Sequence, residues 1–148
     1  MKRLLLTTLL CFSIGCSKRV DPTMAQLEKD FEQMMTNCAL VGHSTQTKRE
    51  GISGEERYEI SKATKVGAET WLLQSTMKIG GKQWPLPIPV TIKWAGDTPV
   101  ITLTDMAIPG VGTYTARVVL YRDQYAGTWS GKTAGGQMFG KIIHDKKP

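Results

Sequence analysis

Residues 70–94 of the 148-residue chain read TWLLQSTMKIGGKQWPLPIPVTIKW, with apolar side chains at nearly every second position on both sides of Gly80-Gly81. A period of two is typical of a β-strand with one buried face. A two-glycine loop supplies the positive φ angles of a tight turn, so the second half should run back antiparallel to the first. The stretch therefore predicts a long β-hairpin. Its apolar face is predicted to carry Trp71, Leu73, Met77, Ile79, Trp84, Leu86, Ile88, Val90, Ile92 and Trp94.

Three prolines mark one edge of the second strand of this hairpin. Pro85, Pro87 and Pro89 occupy alternate positions. Proline has no N–H, and alternate residues of an antiparallel strand direct their N–H groups towards the same neighbour. Donors are therefore missing on one side only. We predict either an open sheet edge or the seam of an incompletely closed barrel; an unpaired polyproline-type segment is the alternative.

The period of two recurs along the chain beyond Ala39 and is broken by turns rich in glycine, asparagine and aspartate. No helical pattern interrupts it, which disfavours parallel crossover connections. We predict a mainly β fold, an antiparallel up-and-down sheet of about eight strands forming a small barrel within residues 39–144. Outside the hairpin, the predicted strands are 39–47, 56–64, 100–104, 113–122, 125–130 and 137–143.

One amphipathic helix is predicted before the sheet, over residues 23–38. Asp21-Pro22-Thr23 offers an N-cap and a proline in a position that a helix start tolerates. Apolar residues then recur every three or four positions, so the helix should cover one face or end of the sheet. A methionine-rich stripe is also found on promiscuous binding surfaces. The stripe consists of Met24, Leu27, Phe31, Met34 and Cys38.

The first fifteen residues have the pattern of a cleavable signal peptide. Lys2 and Arg3 precede an apolar run over residues 4–14, and Gly15 stands directly before Cys16. Such a run spans roughly 15 Å as a helix, about half the thickness of a bilayer core. We therefore expect export rather than a transmembrane anchor, followed by a tether over residues 16–22 and, at the other terminus, a charged tail over residues 145–148.

Ser13-Ile14-Gly15-Cys16 resembles the lipobox of bacterial lipoproteins. The resemblance implies that Cys16 carries lipid and anchors the protein to a membrane, on the periplasmic face or the outer surface. Ordinary signal peptidase would cut the same bond, leaving a periplasmic or secreted protein. If Cys16 is acylated, Cys38 has no intramolecular partner and should be buried. If Cys16 is free, an oxidising envelope permits a Cys16–Cys38 disulfide.

Composition argues against several other functions. The formal charge of +6 falls to +4 when Lys2 and Arg3 leave with the signal, and the remaining charges are scattered, so nucleic acid is not an expected partner. His43 and His144 are the only histidines, too few for a zinc site with the cysteines present. His43 is expected to be structural, and Glu55-Glu56 and Glu59 to be solvated. We predict no catalytic residue, no metal and no cofactor.

Two parts of the sequence resemble known families. Gly127-Thr128-Trp129 resembles the Gly-x-Trp element of lipocalin- and streptavidin-like (calycin) β-barrels, in which tryptophan plugs one barrel end. The strings WAGDTP (94–99), YRDQYAGTWS (121–130) and GGQMFG (135–140) resemble an uncharacterised family of small secreted proteins and lipoproteins of planctomycete-type bacteria. The second resemblance implies an envelope location and a β domain, and it implies no activity.

Two functional hypotheses follow. The first is a non-catalytic binding module in which Trp71, Trp84, Trp94 or Tyr114 lines a cavity for a small apolar molecule. The second is a structural or interaction protein with a solid core, whose proline-marked edge or methionine-bearing helix meets another envelope protein. An open interior favours the first hypothesis, and a fully packed interior favours the second.

Acylation of Cys16 can be tested in the native cell. Globomycin blocks the peptidase that matures lipoproteins, so treated cells should accumulate the unprocessed precursor on an immunoblot. Unchanged processing would contradict acylation and leave the simply secreted form.

Overall fold

The computed structural model describes residues 21–79, 82–109 and 112–144, without the side chains of residues 77–79, 82 and 84. The predicted signal peptide, Cys16, most of the tether and the charged tail lie outside the described residues. The elements are α1 (Met24–Met34), β1 (Cys38–Ser44), β2 (Glu56–Lys65), β3 (Thr70–Ile79), β4 (Lys82–Ala95), β5 (Thr98–Ile108), β6 (Gly112–Tyr121), β7 (Gln124–Gly131) and β8 (Gly135–Ile143).

The eight strands form a closed barrel in which each strand pairs antiparallel with its neighbours in sequence. Closure comes from β1 and β8, which pair from Ala39 opposite Ile143 to Ser44 opposite Met138. The predicted fold class, an antiparallel up-and-down barrel of about eight strands with one helix near the N-terminus, is confirmed.

The predicted hairpin forms β3 and β4, paired from Thr70 opposite Thr91 to Ile79 opposite Lys82. Trp71 and Val90 are directly opposite each other, and both are buried. Leu73 and Ile92 are buried on the same face, as their period-two spacing predicts. Apolar burial therefore fixes which side of the hairpin faces the barrel interior.

Among the described residues, the proline-marked half of β4 has a partner strand on one side only. It pairs with β3, whereas the pairing of β4 with β5 begins at Thr91 opposite Thr102 and ends at Ala95 opposite Thr98. Pro85, Pro87 and Pro89 lie before that stretch and are exposed. The prediction of one-sided pairing is thus confirmed. The strand order closes, and the seam is confined to the region where β4 and β5 diverge.

Helix α1 caps one end of the barrel, which we call the helix end. Its N-cap is Thr23, whose side chain accepts a hydrogen bond from the backbone N–H of Gln26. Phe31 enters the core, where its ring makes edge-on contacts with Trp71 and Trp94 at centroid distances of 4.9 and 6.5 Å. The stripe therefore packs on the sheet, although Met24 at its start is 52% exposed.

The helix is shorter than the sequence predicts. It ends at Met34, and Cys38 is the first residue of β1 rather than the last of the apolar stripe. The C-cap is Met35, which has already left the helical conformation (φ −100°, ψ 11°), and Asn37 then adopts the left-handed conformation (φ 53°) that asparagine tolerates, directly before β1. Cys38 is buried all the same, from the strand.

Two glycines make room for a tyrosine inside the barrel. Gly42 on β1 and Gly140 on β8 are opposite each other at the closure. A Cβ at Gly42 would lie 2.7 Å from Oη of Tyr125, and one at Gly140 would lie 2.7 Å from its Cε1. The Tyr125 ring therefore lies across the paired glycines, and any larger residue there would displace it.

Gly42→Ala should destabilise the protein by about 1–3 kcal/mol, the usual cost of overpacking. The new methyl group would clash with the carbonyl oxygen of Phe139, and backbone cannot move aside as a flexible side chain can. The matched control is Gly54→Ala, where nothing lies within 4 Å of the added carbon. Urea unfolding measures both variants, and equal midpoints would contradict the close packing at this glycine pair.

Candidate functional site: the open half of the barrel

The exposure of the inward-facing side chains changes along the barrel axis. Towards the helix end they are buried, as Ile60, Val90, Ile101 and Val118 are. Two to four positions further from the helix on the same strands, the inward-facing side chains keep part of their accessible surface. We call this region the open half. Its lining includes Glu56, Tyr58, Leu86, Ile88, Leu103, Tyr114, Ala116, Trp129 and Met138, all half-buried.

A carboxylate held by two hydroxyl groups lies in the open half. Oε1 of Glu56 accepts a hydrogen bond of 2.6 Å from Oγ of Ser44, and Oε2 accepts one of 2.8 Å from Oη of Tyr58. Ser44 is fixed in turn, because its backbone N–H donates to Oγ of Ser53 at 2.8 Å. The carboxylate is therefore oriented by groups on β1 and β2.

The expectation that Glu56 is a solvated surface residue is wrong. Glu55 and Glu59 are exposed, but Glu56 is half-buried. The physical reason is strand alternation, which puts position 56 on the same face as Tyr58 and the buried Ile60. The period of two in the sequence indicates that position 56 faces inward, whereas two adjacent glutamates near a turn are typical of a solvent-exposed surface.

Tyr125 adds a third hydroxyl group near this carboxylate. Its side chain is 3% exposed, and its Oη forms no hydrogen bond with another described residue. Burial, and then the charge of Glu56, raise the pKa of Tyr125 to about 12. Burial, the hydrogen bond to Glu56 and its charge also raise the pKa of Tyr58 above its ordinary value. Both tyrosines are therefore neutral hydrogen-bond donors around neutral pH.

The negative charge of Glu56 has no counter-ion among the described residues. The ion pairs found there are Arg57–Glu59, Lys65–Glu28 and Lys93–Glu69, and each involves another carboxylate. Hydroxyl groups disperse the charge of a carboxylate without neutralising it. Within the described part of the chain, the open half therefore carries a negative group held only by neutral donors.

Trp129 supplies a second polar atom without a partner. Its Nε1 is buried and has no hydrogen-bond acceptor within the described ranges. Its ring lies 6.3 Å from that of Tyr114, tilted by 44°. A buried indole N–H usually finds an acceptor, so an unpaired one calls for a physical explanation. The donor lies within the Gly127-Thr128-Trp129 element and is shielded from solvent.

The aromatic residues predicted to line a cavity lie in different parts of the barrel. Trp71 is 2% exposed and contacts Phe31, and Trp94 packs against the same core. The expectation that these two line a cavity is wrong, because both lie at the helix end, where α1 fills the space. Tyr114 lies in the open half, and the side chain of Trp84 lies outside the described residues.

A cleft of about 290 Å³ opens where β4 and β5 diverge. Val90 and Leu103 in its lining belong to the inward face, whereas Thr91 and Thr102 are on the outer face, where they pair across the two strands. The cleft thus runs from the outer wall of the seam towards the interior. Its full lining is Thr70, Pro89, Val90, Thr91, Thr102, Leu103, Thr104 and Met106.

Cys38 and His43, a thiol and an imidazole that could act together only in contact, are not brought together by the structure. Cys38 is buried at the helix end, and His43 lies further along β1 on the outer side, with Nδ1 3.0 Å from the carbonyl oxygen of Ser53. This contact agrees with a structural role for His43, and His144 is exposed. Within the described ranges, no group of three or more His, Cys, Asp or Glu side chains could hold a metal ion.

Fold and site together define a closed, eight-stranded antiparallel barrel with one end capped by a helix and with partly exposed inward-facing side chains in the other half. Comparison with known protein families, curated proteins and solved structures found no match to this chain. In the part of the chain that the structure describes, no helix is both long and apolar enough to cross a membrane.

The buried thiol of Cys38 should make stability depend on pH. Burial raises its pKa from 9.0 to about 11, so the folded state favours the neutral thiol. The resulting stabilisation is complete below pH 9 and is lost as the pH rises towards 11. Urea unfolding should therefore show the stability difference between wild type and Cys38→Ala shrinking between about pH 8 and pH 11. A difference independent of pH, or a Cys16–Cys38 disulfide in the mature protein, would contradict this assignment.

Proposed function

We propose that this protein is an exported, non-catalytic envelope protein that binds a small molecule in the open half of its barrel. The observation that carries the proposal is the change in exposure along the inward face. Fifteen buried side chains of the described residues form one core towards the helix end, whereas most inward-facing residues further along the strands, Ser44 and Ser75 excepted, are half-buried. The helix end would be the floor of the site.

The lining has the chemistry of a ligand site. Binding pockets are mostly apolar and aromatic, with a few polar groups that orient the ligand, and the mouth of a β-barrel is a common place for them. Tyr114, Ala116 and Met138 supply apolar surface here, while Glu56 supplies a polar group. We assign no catalytic residue and no cofactor to this set.

Export and anchoring are the second part of the proposal. They are supported by the signal-like residues 1–15 and by the lipobox resemblance that ends at Cys16. An acylated Cys16 would hold the barrel at the envelope membrane, on its periplasmic face or outer surface, through the short tether over residues 16–22. Without acylation the protein would be periplasmic or secreted, and the binding site would be the same.

An interaction protein is the second candidate function, and a specific surface favours it. Val119, Ala126 and Phe139 are opposite one another across β6, β7 and β8, and all three are exposed on the outer wall. Val119 is 43% exposed and Phe139 is 41% exposed. An exposed apolar row of this kind is typical of a contact surface for another envelope protein.

Native mass spectrometry of the mature protein, isolated from its own envelope, tests the binding function. We expect a mass above that of the denatured chain, because a ligand held in the open half should be released on unfolding. Identical native and denatured masses over several preparations would contradict ligand binding and favour the interaction protein.

A pair of variants locates the bound molecule. Ala116→Phe should fill part of the open half and abolish the mass difference, because Ala116 is inward-facing and packs beside the core. Ala107→Phe is the matched control, since Ala107 is exposed on neighbouring β5. Thermal melting of both variants checks that they fold. A mass difference retained in folded Ala116→Phe, or lost in both variants, would place the ligand elsewhere.

A further inference from the structure

We propose that the ligand of the open half is a small organic cation, an amine whose charged nitrogen meets the carboxylate of Glu56 and whose apolar part lies among the aromatic side chains. This inference rests on the proposed function and adds the chemical class of the ligand. Three features of the described residues support this inference. They are a carboxylate without a counter-ion, a tyrosine hydroxyl group without a hydrogen-bond partner, and aromatic rings that face the same barrel interior.

The carboxylate is the first observation. A half-buried charge costs free energy unless an opposite charge balances it. Glu56 receives one hydrogen bond on each oxygen, from Ser44 and Tyr58, and both donors are neutral. Each carboxylate oxygen has the lone-pair capacity to accept a further hydrogen bond. An ammonium group would supply a positive charge and further donors that the described residues do not supply, whereas an anionic ligand would be repelled.

The hydroxyl group of Tyr125 is the second observation. Gly42, over which its Oη lies, is directly opposite Glu56 in the pairing of β1 with β2. A tyrosine that is only 3% exposed, with no hydrogen-bond partner among the described residues, therefore reaches the strand position beside the carboxylate. Its oxygen can accept a hydrogen bond from the same ammonium group, so the head of the ligand would be held between Glu56 and Tyr125.

The aromatic lining is the third observation. Tyr58 directly contacts the carboxylate, and Tyr114 and Trp129 form a ring pair on the inward faces of β6 and β7. Faces of aromatic rings attract cations, and recognition sites for organic ammonium ions commonly use such rings.

Binding of a hard metal ion fits these residues less well. Calcium takes six to eight oxygen ligands and usually several carboxylates. Here one carboxylate is surrounded by hydroxyl groups, and the described residues contain no group of three or more metal-ligating side chains. One carboxylate surrounded by hydroxyl groups therefore favours an organic cation over a bare metal ion.

Isothermal titration calorimetry with three probes of nearly equal size tests the charge requirement. Benzylamine, benzyl alcohol and benzoate differ mainly in a positive, neutral or negative head. We expect benzylamine to bind at least about tenfold more tightly than benzyl alcohol, the factor given by one favourable charge-assisted hydrogen bond, and benzoate not to bind. Equal affinities for the amine and the alcohol, or no binding of the amine, would overturn the inference.

Two matched glutamate variants test whether the preference for the amine comes from the open half of the barrel. Glu56→Gln keeps the shape of the side chain and should lose at least about tenfold in affinity for benzylamine. Glu59→Gln removes a carboxylate from the exposed face of the same strand and should leave the affinity unchanged. Thermal melting shows whether Glu56→Gln is folded. If it is not, Tyr125→Phe, which keeps the buried ring, should still weaken amine binding severalfold. Unchanged binding in the folded variants would contradict the site.

Identifying the molecule released from the native protein tests the amine assignment separately from the proposed binding function. The mass and composition of a molecule released from the native protein show whether it contains a basic nitrogen. A neutral or acidic molecule would overturn the amine assignment and leave the binding function intact. The absence of any released molecule, together with no binding of the three probes, would overturn both.

Discussion

Closure of the barrel between β1 and β8 is the constraint on which the rest of this structure depends. Once the first and last strands pair, each strand has a neighbour on both sides, and all inward-facing side chains must share one narrow interior. The paired glycines Gly42 and Gly140 show the consequence most directly. They leave the volume that the ring of Tyr125 occupies, and this brings the Tyr125 hydroxyl to the carboxylate side of the barrel.

Closure also explains why the two halves of the barrel differ. At the helix end, Phe31 and Met35 from the chain that precedes β1 complete a core that strand residues alone would leave open. In the other half most inward-facing side chains are half-buried, and the proline-marked part of β4 separates from β5. Apolar burial stabilises one half, and the other half contains the site proposed for ligand binding.

The binding proposal gives the polar groups of the open half a role that the core does not. A carboxylate without a counter-ion and an indole N–H without an acceptor, both among the described residues, reduce the stability of a folded protein. Proteins commonly accept such local costs where a ligand completes the interaction. A ligand in this half would satisfy the carboxylate and would at the same time add stability to the barrel.

Local features of the sequence determined the strands, the hairpin turn, the one-sided edge of β4 and the start of α1, because alternation, paired glycines, alternate prolines and an N-cap act within a few residues. Tertiary structure alone decided the rest. The end of the helix depends on the turn over residues 35–37 that leads into β1, the packing of Trp71 and Trp94 depends on the position of Phe31, and the meeting of Glu56 with Ser44 and Tyr125 depends on strand register around the barrel. Contacts between residues far apart in the chain follow from closure, and local patterns do not encode which inward-facing residues meet.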